Sequence, residues 1–120
     1  MEYMIFIGTT ESADSPVPGT PGFDEYMGAW MAYNQMLIDG GHWVSGASLQ
    51  PTATATTVKR ASGVDTIIDG PFAETKEQLG GYYLVKAADL DEALELAKAM
   101  PVADGALEVR PVAFRPDAPR

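Results

Sequence analysis

From Tyr3 to Ile7 the chain runs Tyr-Met-Ile-Phe-Ile without a polar interruption, and Gly8 ends the run. Such a run predicts a short strand covered on both faces, at the centre of a sheet. Residues 9–22 follow with Ser12, Ser15, Pro16, Pro18, Gly19, Pro21 and Gly22. That composition neither sustains a helix nor pairs along a ladder, and a loop so long reads as a lid or binding segment. A helix is predicted over 24–39, where Tyr26, Trp30, Tyr33 and Leu37 recur at helical spacing on one face. Asp24 is placed to cap its first turn and Gly40-Gly41 to end it in a left-handed C-cap. The aromatic stripe reads first as packing against a sheet, with part of it free to wall a pocket.

Beyond the helix, residues 42–49 read as a strand, and 54–60 and 64–69 as the arms of a hairpin turned by Ala61-Ser62-Gly63. Another strand spans 79–86, with Tyr82 and Tyr83 pointing to opposite faces after a Gly80-Gly81 pair that marks a bulge or a close approach. Asp89 and Glu92 form a variant capping box for a second helix, whose apolar face is read as Leu90, Ala93, Leu94 and Ala97 and whose stop is Pro101. Leu107 and Val109 alternate with Glu108 and Arg110 in a last strand that Pro111 confines to its end or to an edge. Residues 116–120 read as a frayed tail.

This order is strand, helix, several strands, helix, strand. It predicts one α+β domain of ferredoxin-like type, with both helices on one face of an antiparallel sheet and an extra hairpin. The other sheet face then needs cover. Two copies packed sheet to sheet, in the manner of a dimeric α/β barrel, supply it, so a homodimer is expected.

Composition narrows the partners. Eight basic and seventeen acidic residues give a formal charge of −9, which argues against nucleic acid and against an anionic membrane surface. No cysteine is present, so a thiolate nucleophile and thiolate metal sites are excluded. The apolar run at the amino terminus is too short for a signal peptide, and the expected location is the cytoplasm. Phosphate-binding glycine loops, a nucleophile elbow and the His-Glu-x-x-His helix are absent, and neither metal nor cofactor is expected.

The chemistry concentrates in Asp69-Gly70-Pro71-Phe72-Ala73-Glu74-Thr75-Lys76-Glu77, four ionisable groups around a proline turn after a strand. Asp69 has two roles open to it. It can tie its own turn through backbone N–H groups, or face an apolar cleft against Trp30 or Phe72 and act as a base. Glu74, Lys76 and Glu77 are either a solvated face or, for Lys76, an anchor for an anionic group that Glu74 orients. His42 is the single side chain that titrates near neutrality when unperturbed, and it is read either as helix-end or surface imidazole or as a catalytic group.

The same nine residues, followed by Leu79-Gly80-Gly81-Tyr82-Tyr83-Leu84, resemble the signature of the DGPF family within the YCII-related superfamily. Asp91-Glu92-Ala93 and Glu108-Val109-Arg110-Pro111-Val112 are similar to that family too. The resemblance implies a dimeric ferredoxin-like fold with a cleft near the motif, and some relatives are associated with sigma factors. In the wider superfamily a His on the first helix and an Asp at a strand end are proposed as a catalytic pair, and a related branch contains a dehalogenase of chlorinated muconolactones. Here the matching helix position is Trp30, which cannot transfer that proton.

Two functions follow as expectations. One is a cofactor-independent enzyme for proton transfer, isomerisation, elimination or dehalogenation of a small organic acid or lactone. Asp69, His42 and Glu74 then supply the acid/base groups, Lys76 the anchor, and Trp30, Phe72, Tyr33 and Tyr82 the walls. The alternative is a non-enzymatic ligand-binding or regulatory dimer, with a link to sigma-factor-dependent transcription.

Overall fold

A computed structural model describes residues 1–10, 16–73 and 75–116. Four strands, β1 (Glu2–Thr9), β2 (Trp43–Ser48), β5 (Gln78–Lys86) and β6 (Gly105–Pro111), form a sheet in the order β2-β5-β1-β6. Every neighbouring pair is antiparallel. Helix α1 (Phe23–Asp39) connects β1 to β2 and helix α2 (Leu90–Lys98) connects β5 to β6. Each crossover skips one strand, which is the ferredoxin-like topology in an open sheet. The extra hairpin, β3 (Thr56–Ala61) with β4 (Val64–Asp69), is a separate two-stranded sheet inserted between β2 and β5.

The core lies between one sheet face and both helices. Tyr3, Ile5 and Ile7 of β1 and Tyr83 and Val85 of β5 meet Tyr33 and Leu37 of α1 and Ala93, Leu96 and Ala97 of α2. Ile5, Leu37 and Val85 are fully enclosed, and burial of each side chain stabilises the fold by about 1.5–3 kcal/mol. β1 is central, as its sequence predicts, but it is not covered equally on its two faces. Its residues alternate, with Met4 and Phe6 only half-buried on the side away from the helices. Tyr82 and Leu84 share that side with them, since Phe6 pairs with Tyr82 and Met4 with Leu84.

The helix ends differ in part from expectation. The N-cap of α1 is Gly22 in the left-handed region, not Asp24, which lies inside the first turn beside Glu25. The two carboxylates there favour the positive end of the helix dipole without capping a donor. At the other end Gly41 has φ +74, its N–H donates to Ile38 O, and His42 N–H donates to Leu37 O. This is the paired bonding of a Schellman motif. In α2, Asp89 accepts from Glu92 N–H as predicted, while the Glu92 carboxylate reaches back to the N–H of Ala88. The buried face is Ala93, Leu96 and Ala97, and Leu90 and Leu94 point outward at 48% and 37% exposure. Among the described residues no helix is long and apolar enough to cross a membrane.

Candidate functional site

The Asp-Gly-Pro-Phe turn leaves the hairpin at the root of β4. Asp69, the last residue of β4, pairs with Thr56 across the ladder. Gly70 then takes φ +100, a conformation that disfavours any residue with a Cβ. Two bonds hold it: Gly70 N–H donates to Ala55 O at 2.8 Å, and Thr57 Oγ1–H donates to Gly70 O at 2.7 Å. The turn is therefore anchored through its backbone by the opposite strand, and the Asp69 side chain is exposed. Further on, Thr75 bonds Glu77 O and the Gln78 amide donates to Thr75 O at 2.7 Å.

Between this turn and a 3-10 turn at Thr52–Thr54 lies a groove of about 540 Å³. Pro51, Phe72 and Leu79 give it apolar walls, and Thr52, Thr54, Thr57, Thr75 and Gln78 line it with hydroxyl and amide groups. Among the described lining residues Glu77 is the one ionisable side chain. Its Cβ lies close to β1, 3.6 Å from where a Cβ on Gly8 would stand, which is ordinary contact distance. Phe72 is 89% exposed and forms an apolar lip. The hydrogen-bonding capacity, a carboxylate and an aromatic lip suit a small, partly apolar ligand that donates hydrogen bonds or carries positive charge.

The predicted aromatic wall is elsewhere. Trp30 stacks on Tyr83 with ring centroids 6.2 Å apart, and Tyr33 and Trp43 meet the same Tyr83 ring edge-on at 5.4 and 5.9 Å. Tyr33 O–H donates to Leu96 O at 2.7 Å, and Tyr83 O–H bonds the side-chain oxygen of Asn34. Burial raises the pKa of both phenols, and for Tyr33 the neighbouring Tyr83 adds to the rise. The Trp30 indole N–H is buried without a partner. Trp30 and Phe72 thus do not close one cleft, because Phe72 lines the groove and Trp30 packs against the core.

The remaining predicted residues are dispersed. His42 lies past the end of α1, where its Nδ1 is 2.8 Å from Lys86 O and 3.9 Å from a Glu92 carboxylate oxygen. Tyr82 is on the sheet face opposite Trp30 and Tyr33. Lys76 is exposed beside the groove and outside its lining, and Glu74 lies outside the described residues. No group of carboxylates and imidazole arranged to hold a metal ion occurs among the described residues.

Sequence reasoning overlooked the threonines. Thr52, Thr54, Thr56 and Thr57 crowd the stretch after Pro51, a density of hydroxyls that local rules assign to strand or turn. Their convergence on residues 72–79 is tertiary.

Comparison with known proteins finds a family match over nearly the whole chain. The family model of the YCII-related domain matches residues 1–114. An uncharacterized protein of Rhizobium meliloti (strain 1021) is 44% identical over 86 residues, which cover 69% of this chain and 69% of that protein.

Proposed function

The chain belongs to the family of YCII-related domains, and on that premise we propose that it is a homodimeric small-molecule-binding protein whose site is the groove at the root of the hairpin. The observation that carries this reading is the lining of the groove by hydroxyls, side-chain amides and the Glu77 carboxylate beside an exposed phenylalanine. The ligand class follows from that chemistry. With Glu77 lining it and a chain of formal charge −9 around it, the groove favours a neutral or cationic ligand over a carboxylate.

The homodimer is supported by the sheet face away from the helices. Phe6, Met4 and Tyr82 are half-buried there around the enclosed Leu84. An apolar face of this kind is suited to a second copy in a sheet-to-sheet pair related by a twofold axis.

A thermal-shift screen with small organic amines, neutral amides and carboxylates tests the binding reading. Amines or amides are expected to raise the melting temperature, and Glu77→Gln to weaken the response to amines selectively. Stabilisation by carboxylates alone, unaffected by Glu77→Gln, would contradict the proposed ligand class.

A further inference from the structure

Among the described residues the arm formed by the β3–β4 hairpin adds to no other sheet. Its strands pair with each other, and every residue of β4 and all but one of β3 are exposed. A lone two-stranded hairpin is marginal in water and needs a third strand or a packed surface to persist. The molecule is extended for its length: its radius of gyration is 16.3 Å, where a compact domain of this size has about 14 Å.

The arm also carries apolar surface in register. Val58 pairs with Ile67 across the ladder, and the two are 58% and 73% exposed. Two positions on, on the same face, Arg60 grips Asp65 through Nε at 2.5 Å and Nη2 at 3.1 Å. The bidentate pair neutralises both charges beside the apolar strip. Residues 56–69 hold Lys59, Arg60, Asp65 and Asp69 and are neutral as a unit, so the formal charge of −9 lies wholly on the rest of the chain. Two copies of so acidic a protein repel each other, and a projecting segment that adds nothing to that charge approaches the second copy at low electrostatic cost.

We propose that the arm reaches onto a second copy of this chain and lays the Val58–Ile67 strip against it. The inference rests on the homodimer proposed above and adds a second contact to it. Ile67 and Val58 exchange water for apolar surface, the Arg60–Asp65 pair stays at the rim, and the exposed hairpin gains a packed surface.

The chain has no cysteine, so a single introduced thiol reports on one position of the full-length protein. Ile67→Cys, kept reduced, is treated with a maleimide across a dilution series whose oligomeric state is followed by sedimentation. Glu95→Cys, on the outer side of α2, gives the rate of an exposed thiol. The expected result is labelling of Ile67→Cys at least about tenfold slower than the control where the protein is dimeric, rising to the control rate as it dissociates. A dimer whose Ile67→Cys reacts at the control rate at every concentration overturns the arm contact and leaves the dimer standing. A monomer at every concentration overturns both. A companion variant, Ile67→Asp, is expected to raise the dimer dissociation constant at least about tenfold, and an unchanged constant counts against the contact.

Discussion

The Trp30 indole and the Tyr83 phenol ring lie nearly parallel, with planes 7° apart and centroids separated by 6.2 Å. This stack joins helix α1 to strand β5 at the helix position that the sequence resemblance matches to a catalytic histidine. Here that position packs. Its indole N–H has no partner despite being buried, so the contribution of Trp30 comes from ring surface and not from hydrogen bonding. Trp30→Ala is expected to cost about 3 kcal/mol, near the lower end for buried tryptophan because the side chain is only half-buried. Trp30→Phe keeps most of the contact and removes an unsatisfied donor, and is expected to cost about 1 kcal/mol or less. Urea unfolding compares the two. Equal losses would mean that the indole makes a contribution that a phenyl ring cannot replace.

Tyr83 of that stack and the adjoining Tyr33 make the stability sensitive to alkali. Tyr33 and Tyr83 hold their protons more tightly in the folded chain, first because burial disfavours the phenolate. Unfolded tyrosine ionises near about pH 10. Below that pH both states keep the proton and the stabilisation is fully present. As pH rises through and beyond it, the unfolded state loses protons that the folded state retains, and stability falls. Unfolding followed from about pH 8 to about pH 11 is expected to show this decline. Tyr33→Phe, which gives up the bond to Leu96 O and about 1 kcal/mol at neutral pH, is expected to flatten it.

Gly81 permits the close approach of β2 to β5. A Cβ on it would lie 2.7 Å from Ala47 O, a backbone atom fixed in the sheet. The neighbouring Gly80 is passed over where the register shifts, since Ile7 pairs with Gly81 and Gly8 with Leu79. Gly81→Ala is expected to cost about 1–3 kcal/mol, as overpacking does, because the strands must separate to accept the methyl group. A thermal melt no lower than that of the natural chain would show that β2 yields easily.

At the start of α2, Asp89 Oδ1 accepts from Glu92 N–H at 2.9 Å. Asp89→Ala is expected to lower stability by about 1 kcal/mol, and Asp89→Ser to restore most of it. The pair of variants separates a lost cap from a lost charge. If serine fails to rescue in chemical denaturation, interaction with the helix dipole carries the effect instead.

Local patterning made the elements legible where a single rule governs them. The hairpin turn is one case in part: Ser62 and Gly63 adopt positive φ, at +50 and +77, as a two-residue connection between twisted strands requires, while Ala61, read as part of the turn, pairs with Val64 in the ladder. The glycine pair after α1 is another. Where two faces satisfied the same spacing, the pattern did not choose. Ala93 and Ala97 are buried in α2, but their companion is Leu96 and not Leu94, because the direction of the sheet decides between flanking leucines. The candidate site was legible as a segment and not as a geometry. Thr57 meets Gly70 thirteen residues away, and spacing along the chain does not announce that contact. The placing of Trp30 and Phe72 at separate sites has the same origin, since it depends on where β5 and the turn at Gly70 fall in space.

That contact between Thr57 and Gly70 supplies a test of how the groove is held. Thr57 Oγ1 is partly buried and donates to Gly70 O, so Thr57→Val removes a donor while keeping the β-branched shape that suits a strand. The carbonyl of Gly70, itself half-buried, then loses its partner, and the expected cost is about 1 kcal/mol. Asp69→Asn changes an exposed side chain one residue away and is expected to alter stability by less than about 0.5 kcal/mol. Binding should follow the same order. A groove shaped by the backbone of the turn loosens with Thr57→Val, so affinity for an amine or amide ligand falls, while Asp69→Asn leaves it nearly unchanged. Calorimetric titration of both variants with one ligand from the screen distinguishes them. A large loss with Asp69→Asn and none with Thr57→Val would place recognition on the carboxylate of the turn and not on the groove behind it.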